Sequence, residues 1–169
     1  TITVTNDSTI SAEGITFNGA GGNTFNVSAG KTLTVTGSFF KSSSASDTGF
    51  IKTGTGTMYL NPTGSYNTYV GSTTISAGTI KLGNASALGS TSGGTSITSG
   101  AALDLIGVNY SNAEALTING TGISSGGAVM NSSSTGATYA GLITLGSTGA
   151  SIVGGAGTIT LSNAGTITG

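Results

Sequence analysis

Short clusters of β-branched and aliphatic residues recur from one end of the chain to the other, and this repetition constrains the fold most. Within a cluster, apolar residues alternate with Thr, Ser or Asn, as in Leu33-Thr34-Val35 and Ile143-Thr144-Leu145. A period of two predicts strands that bury one face. The predicted strands are 2–4, 15–17, 24–27, 33–35, 57–60, 73–76, 79–82, 96–98, 102–105, 115–118, 142–145, 151–153, 158–161 and 166–168.

The links between these clusters are short and rich in residues that tolerate tight corners. Asn18-Gly19, Ser99-Gly100 and Asn119-Gly120 are examples, and glycine supplies 31 of the 169 residues. Glycine and asparagine accept the positive φ that such corners require. No segment carries apolar residues at helical spacing, so the sequence predicts strands and turns throughout.

Two architectures accommodate many short strands. A sandwich or barrel pairs neighbouring strands as hairpins around an aromatic-rich core, whereas a β-helix stacks each strand on its counterpart one coil later. Aromatic residues make up only 6% of the chain, and the links are uniform, which favours the β-helix. Coils of about 20 to 25 residues, rising about 4.8 Å each, predict a single segment over 1–169 with about seven coils.

The low charge excludes several classes of protein. Charged residues make up 5% of the chain, the net charge is −1 and mean hydropathy is +0.25. Disordered chains combine high charge with low hydropathy, so we expect a folded domain. The chain has no basic run, so nucleic-acid binding is not expected. No apolar stretch approaches the ~20 residues of a membrane span. Without a signal peptide or initiator Met, we expect a processed piece of a longer protein.

One stretch resembles a known family. The run KTGTGTMYL at 52–60 and the run NTYVGSTTISAGTIKLGN at 67–84 resemble the autotransporter-associated β-strand repeat. Ala87-Leu88-Gly89 is similar to the usual exit of that repeat, so the best match covers 52–89. The inserted Asn61-Pro62 and the Met58 that replaces Leu depart from the family pattern without disturbing the strands.

The resemblance implies a right-handed parallel β-helix from the exported passenger of a Gram-negative surface protein. The function it implies is that of a structural or adhesive stalk or filament segment, located outside the cell or on the outer membrane. Expected partners are further copies, flanking repeats, or a host or environmental surface or glycan. The alternative is a glycan- or ice-binding module, and a polysaccharide-degrading enzyme is the weaker third hypothesis.

The residues that carry chemistry are sparse, and we predict no catalytic, cofactor or metal site. A polysaccharide-cleaving enzyme needs paired carboxylates, and the five present are interpreted as solvated outward positions, although stacking could bring Asp104 and Glu114 together. The carboxylates are Asp7, Glu13, Asp47, Asp104 and Glu114. With so little charge, we expect a rod that is insensitive to pH and salt.

Four further sets of residues could take part in binding. The lysines are interpreted as surface charges, with a positional role for Lys52; they are Lys31, Lys41, Lys52 and Lys81. Threonine triplets at 1–3, 32–34 and 158–160 suggest an ice-binding face only if they share one side of the coils. Of the five tyrosines, which could stack on sugars, Tyr69 and Tyr139 are predicted to pack at a corner. Segments 38–49 and 83–95 are predicted to leave the coil as loops and to contact any partner.

Overall fold

The alternating clusters form nineteen short strands in the described part of the chain, and the longest of these has eight residues. The computed structural model describes residues 1–11, 15–17, 22–37, 39–41, 49–63 and 67–169, with backbone alone at 15–17, 39–41 and 147–148. The strands are β1 (Ile2–Val4), β2 (Ser8–Ile10), β3 (Ile15–Phe17), β4 (Asn23–Val27), β5 (Thr32–Val35), β6 (Phe39–Lys41), β7 (Phe50–Thr53), β8 (Thr57–Leu60), β9 (Thr73–Ile75), β10 (Gly78–Leu82), β11 (Thr95–Ile97), β12 (Ala101–Asp104), β13 (Asn109–Tyr110), β14 (Leu116–Gly120), β15 (Val129–Met130), β16 (Ala137–Tyr139), β17 (Ile143–Ala150), β18 (Ile152–Val153) and β19 (Ile159–Leu161). The described residues contain no α-helix, only a 3₁₀ turn at Ile123–Ser125.

Strands from successive levels stack in parallel and form three faces. The first face has the order β1-β4-β7-β9-β11-β14-β17, and the second has β2-β5-β8-β10-β12-β15-β18. The third face contains the pair β3-β6 and the triplet β13-β16-β19. Every strand pair is parallel. This is the predicted all-β parallel solenoid.

We call the strands at one level a rung and number the rungs 1 to 7 along the first face. The solenoid makes about six turns, a minor difference from the predicted seven coils. Some turns contain more residues than predicted: Asn119 bonds to Ile97 from 22 residues away, whereas Ser132 bonds to Asp104 from 28. Longer turns reduce the number that fit in the chain. The right-handed twist of the coil stays a prediction.

The core consists of rows of aliphatic side chains that run along the rod. On the second face, the parallel register aligns Leu33, Met58, Ile80, Leu103 and Val129, and all are buried. Complete burial of such a side chain contributes roughly 1.5–3 kcal/mol. Because each row is covered only by the rungs above and below, the stack is stable as a whole rather than rung by rung.

Candidate functional site

Lys52 lies inside the core instead of on the surface. The register of the first face places it between Phe25 and Ile75 in an inward row, and its side chain is fully buried. The ammonium group donates to the carbonyl oxygens of Thr53 at 2.8 Å, Gly54 at 2.8 Å and Ala77 at 3.2 Å. Burial lowers the pKa of Lys52 to about 8. The interpretation of this lysine as a surface charge was therefore wrong, although a positional role fits the geometry.

Glycines close the corner around the Lys52 ammonium. A Cβ at Gly78, which has a φ of +70°, would lie 2.6 Å from the Gly54 carbonyl oxygen and 2.9 Å from Lys52 Nζ. The same atom would also collide with the carbonyl oxygen of Gly56. Only glycine lets three chain segments approach the ammonium so closely. We call Lys52 with Gly54, Gly56 and Gly78 the lysine corner.

Glu114 is the second ionisable group in the core, and it too was wrongly predicted to be solvated. Its side chain is 1% exposed. Oε1 accepts a hydrogen bond from Thr95 Oγ1 at 2.6 Å, and Oε2 accepts one from the Tyr110 hydroxyl at 2.8 Å. Burial raises the pKa of Glu114 to about 7, and the two hydrogen bonds oppose that rise.

Two stacked tyrosines form the wall beside Glu114. The rings of Tyr110 and Tyr139 are nearly parallel, with centroids 5.3 Å apart, and the Tyr139 hydroxyl donates to the backbone oxygen of Glu114 at 3.0 Å. We call Glu114 with Thr95, Tyr110 and Tyr139 the glutamate corner. Tyr69 is also fully buried and bonds to Thr73 at 2.6 Å. Tyr69 and Tyr139 therefore pack inside the rod, Tyr139 as the last residue of β16.

Asp104 points outward from its strand, as predicted, but it is not solvated. Its carboxylate is 1% exposed and accepts hydrogen bonds from Ile106 N at 3.1 Å, Ser132 N at 2.9 Å and Ser132 Oγ at 2.6 Å. The Lys81 ammonium lies 3.7 Å away. Asp104 and Glu114 therefore have separate sets of partners, and no contact joins them.

The other carboxylates form no site in the described residues. Asp7 is exposed and accepts a hydrogen bond from Thr32 N at 2.7 Å, while Glu13 and Asp47 lie outside those residues. Within the described ranges, no group of three or more metal-binding side chains comes together. No helix in the same ranges is long and apolar enough to cross a membrane.

The predicted loops have different outcomes. Most of segment 38–49 lies outside the described residues, and its residues 39–41 form β6. Segment 83–95 does not leave the coil as predicted, because Ala87 and Leu88 are buried in the core. Asn84 fixes its start through a 2.6 Å hydrogen bond to the Pro62 carbonyl oxygen. Only Thr91 and Ser92 in this segment are exposed.

A different hydroxyl array replaces the predicted threonine triplets. Triplet 1–3 lies on the first face, 32–34 on the second and 158–160 on the third, so they do not share one side. The first face instead carries two outward rows in register. The longer row contains Thr24, Ile51, Thr74, Ser96, Thr117 and Thr144, and the shorter one contains Thr3, Asn26 and Thr53.

Comparison with known families bears on rungs 3 and 4. Residues 50–82 match the family model of the passenger-associated-transport-repeat. Rungs 3 and 4 match an autotransporter passenger repeat. The passenger repeat contains the whole lysine corner and ends before the glutamate corner. No curated protein and no solved structure matches the chain. The repeat and the parallel solenoid together fit the passenger domain of a secreted protein.

Sequence reasoning missed the glutamate corner. The available signal was the spacing of Tyr110 and Glu114, which repeats the four-residue spacing of Tyr69 and Thr73 in the passenger repeat. In both pairs the tyrosine hydroxyl bonds to a polar side chain four residues later. Alignment of the two segments could have placed Glu114 inside the coil.

Proposed function

We propose that this chain is a structural segment of an adhesive stalk or filament on the surface of a Gram-negative bacterium. One continuous core that runs through all the rungs carries this proposal. Each rung has apolar rows that only its neighbours cover, so rung addition extends the rod without new chemistry. The passenger repeat in rungs 3 and 4 supports an extracellular or outer-membrane location.

Apolar side chains are exposed at both ends of the rod, where a further rung would cover them. Ile2 in rung 1 is 46% exposed, whereas Phe25, its partner one rung inward, is 1% exposed. At the other end, Leu161 is 36% exposed and Ile167 is 44% exposed. A second copy or a flanking repeat would bury these side chains, so end-to-end association is part of the proposal.

Electron microscopy and sedimentation velocity test the association of copies. We expect the chain to form fibres with an axial spacing of about 4.8 Å. Ile2→Asp and Ile167→Asp should shorten or abolish the fibres because each places a charge on an end row. Thr117→Asp on a lateral face is the matched control. Compact particles from the unchanged chain would contradict self-stacking.

We propose no catalytic role for the chain. The passenger repeat is a structural repeat. Carboxylate-based cleavage of a polysaccharide needs two carboxyl groups on opposite sides of one bond. Asp104 and Glu114 are both buried and bonded to separate groups, which does not favour that chemistry.

Ice binding is a second candidate because the longer outward row of the first face carries hydroxyls at Thr74, Ser96, Thr117 and Thr144. Parallel stacking spaces these residues about 4.8 Å apart along the rod, which makes a regular array of hydroxyl groups. Thr74, Ser96 and Thr117 donate no hydrogen bond from their hydroxyls to another described residue. Thermal hysteresis that disappears in Ser96→Tyr, but persists in Thr138→Tyr on the third face, would support this candidate. Absence of hysteresis in the unchanged chain would remove it.

A further inference from the structure

A shallow groove crosses the outer side of the second face between rungs 2 and 5. Its volume is about 330 Å³, and Thr32, Thr57, Tyr59, Lys81 and Ile106 line it. The register pairs Thr32 with Thr57 and Tyr59 with Lys81, so parallel stacking itself brings these side chains together. We call this the Tyr59 groove.

The polar groups of the Tyr59 groove are not used by the fold. Thr32, Thr57 and Tyr59 are half-buried, and their hydroxyls make no hydrogen bond within the described part of the chain. The buried tyrosines behave differently, since Tyr69, Tyr110 and Tyr139 each place their hydroxyl against a core partner. Tyr59 therefore offers an aromatic face and a phenol to an outside molecule.

Among the described residues that line the groove, Lys81 is the one that carries a charge. Its side chain is 39% exposed, and its only ion pair among the described residues is the 3.7 Å contact with Asp104. Asp104 does not depend on that contact, because Ile106 N, Ser132 N and Ser132 Oγ donate to its carboxylate at shorter distances. The ammonium group can turn towards an anionic ligand without leaving a buried carboxylate unsatisfied.

Ile106 forms the apolar wall of the groove in a strained conformation. Its φ is +39°, in the left-handed region that β-branched residues avoid, and Gly107 follows at +80°. Val108 N closes this turn on the Leu105 carbonyl oxygen at 2.8 Å. Asparagine or glycine would suit the position without strain. A strained apolar residue kept at the edge of a groove indicates a role in binding.

We propose that the Tyr59 groove binds an acidic oligosaccharide. A pyranose ring stacks on Tyr59 and against Ile106, a uronate carboxylate pairs with Lys81, and ring hydroxyls bond to Thr32 and Thr57. The volume lies within the roughly 300–1,000 Å³ of small-ligand sites. A single cation suits one carboxylate per ring, whereas a nucleic acid needs several basic residues to neutralise its phosphates.

The test uses the full chain with two probes, tri-galacturonate and uncharged galactotriose. Amide NMR shifts are followed during titration, and calorimetry gives the dissociation constants. We expect shifts at residues 57–59, 81 and 106, with tri-galacturonate bound at least tenfold more tightly. Tyr59→Ala should weaken binding about tenfold, the equivalent of one stacked aromatic contact. Lys81→Gln should remove the preference for the acidic probe.

Ile106→Asn separates binding from folding. The substitution relieves the strained φ, so the midpoint of thermal unfolding should rise while affinity falls. Thr117→Ala, on the first face, is the matched control and should bind as the unchanged chain does. No amide shift in the groove at millimolar concentrations of either probe overturns the proposal. Equal affinities of Tyr59→Ala, Lys81→Gln and the unchanged chain for the acidic probe also overturn the proposal. Fibre formation is measured independently, so the groove and the stalk proposals fail separately.

Discussion

The lysine corner and the glutamate corner each bury one ionisable group, but they satisfy it in different ways. Lys52 has one backbone carbonyl oxygen for each of its three N–H bonds. Glu114 accepts two hydrogen bonds from side-chain hydroxyls. Neither side chain forms an ion pair among the described residues. Backbone carbonyls that are fixed by a glycine corner cannot rotate away, whereas hydroxyls can turn to other partners.

This difference decides what each charge does for the fold. Removal of the Lys52 ammonium leaves carbonyl oxygens buried without a donor, so the lysine holds its corner together. Removal of the Glu114 charge relieves a buried anion that no cation compensates. Burial makes both charges a cost that depends on pH, but only the Lys52 charge also holds backbone carbonyls in place. The expected insensitivity of the rod to pH conflicts with these two buried groups.

The largest effect is expected from Gly78→Ala in the lysine corner. The new Cβ would meet two backbone carbonyls at a positive φ, so we expect a loss of roughly 3–5 kcal/mol in the free energy of unfolding. Gly30→Ala is the matched control, since its φ is +69° but nothing lies within 4 Å of the new Cβ. It should cost about 1 kcal/mol. Denaturant titration compares the two, and equal losses would show that the corner is not tightly packed.

Lys52→Met tests whether the ammonium stabilises its corner. The apolar replacement suits the row of Phe25 and Ile75 but leaves three carbonyl oxygens without their donor. At pH 6, where the folded lysine is charged, we expect a loss of about 1–3 kcal/mol. Lys81→Met on the outer face should change stability by less than about 0.5 kcal/mol. A gain in stability for Lys52→Met would remove the contrast between the corners.

Glu114→Gln should stabilise the chain, but only at higher pH. The folded pKa of Glu114 is raised from 4.5 to about 7, so the folded state binds more protons than the unfolded state between these values. The free energy of unfolding therefore falls as pH rises through this window, by at most about 3 kcal/mol. The free energy of unfolding of Glu114→Gln should stay constant over this pH window, and at pH 8 it should exceed that of the unchanged chain.

Unfolding curves from pH 4.5 to pH 8 measure this dependence. Asp7→Asn, at an exposed carboxylate, is the control and should follow the unchanged chain. Infrared difference spectra add a direct readout, because a protonated carboxyl should persist at pH 6 and be absent from Glu114→Gln. Parallel pH profiles for Glu114→Gln and the unchanged chain would contradict the buried, cation-free environment.

Tyr139→Phe gives the smallest expected effect, and Tyr110→Phe is the variant to compare it with. Tyr110 donates to the Glu114 carboxylate, whereas Tyr139 donates to its backbone oxygen. At pH 8 we expect losses of about 1.5–3 kcal/mol for Tyr110→Phe and about 1 kcal/mol for Tyr139→Phe. Below pH 5, where the carboxyl is neutral, the two losses should converge. If the difference between the two losses stays constant across pH, the Tyr110 hydroxyl does not bond to the charged Glu114 carboxylate.

Much of the fold could be predicted because it follows from local patterns. Alternation in Leu33-Thr34-Val35 sets which side chains face inward, and glycine corners set where the chain turns. The lysine corner could be found in part, since the run at 52–60 resembles a family repeat. The glutamate corner was missed, although Glu114 precedes Leu116 and Ile118 on the inward side of one alternating run. A carboxylate at such a position does not reveal by itself which groups satisfy it. Its environment comes from Thr95 and Tyr139, which belong to other rungs.

The sequence by itself determined most of the strands, the parallel stacking and the identity of the repeat, because alternation and glycine spacing act over a few residues. It missed β2, β6, β7, β13, β15 and β16, and it predicted a strand at 166–168, where Thr168 forms an isolated bridge. Only the tertiary structure decided the burial of Lys52, Glu114 and Asp104. The outward hydroxyl row of the first face and the Tyr59 groove also follow only from the tertiary structure. Each of these depends on which residues one turn apart become neighbours. That register changes with every turn, since turn length varies, and only the stacked rod fixes it.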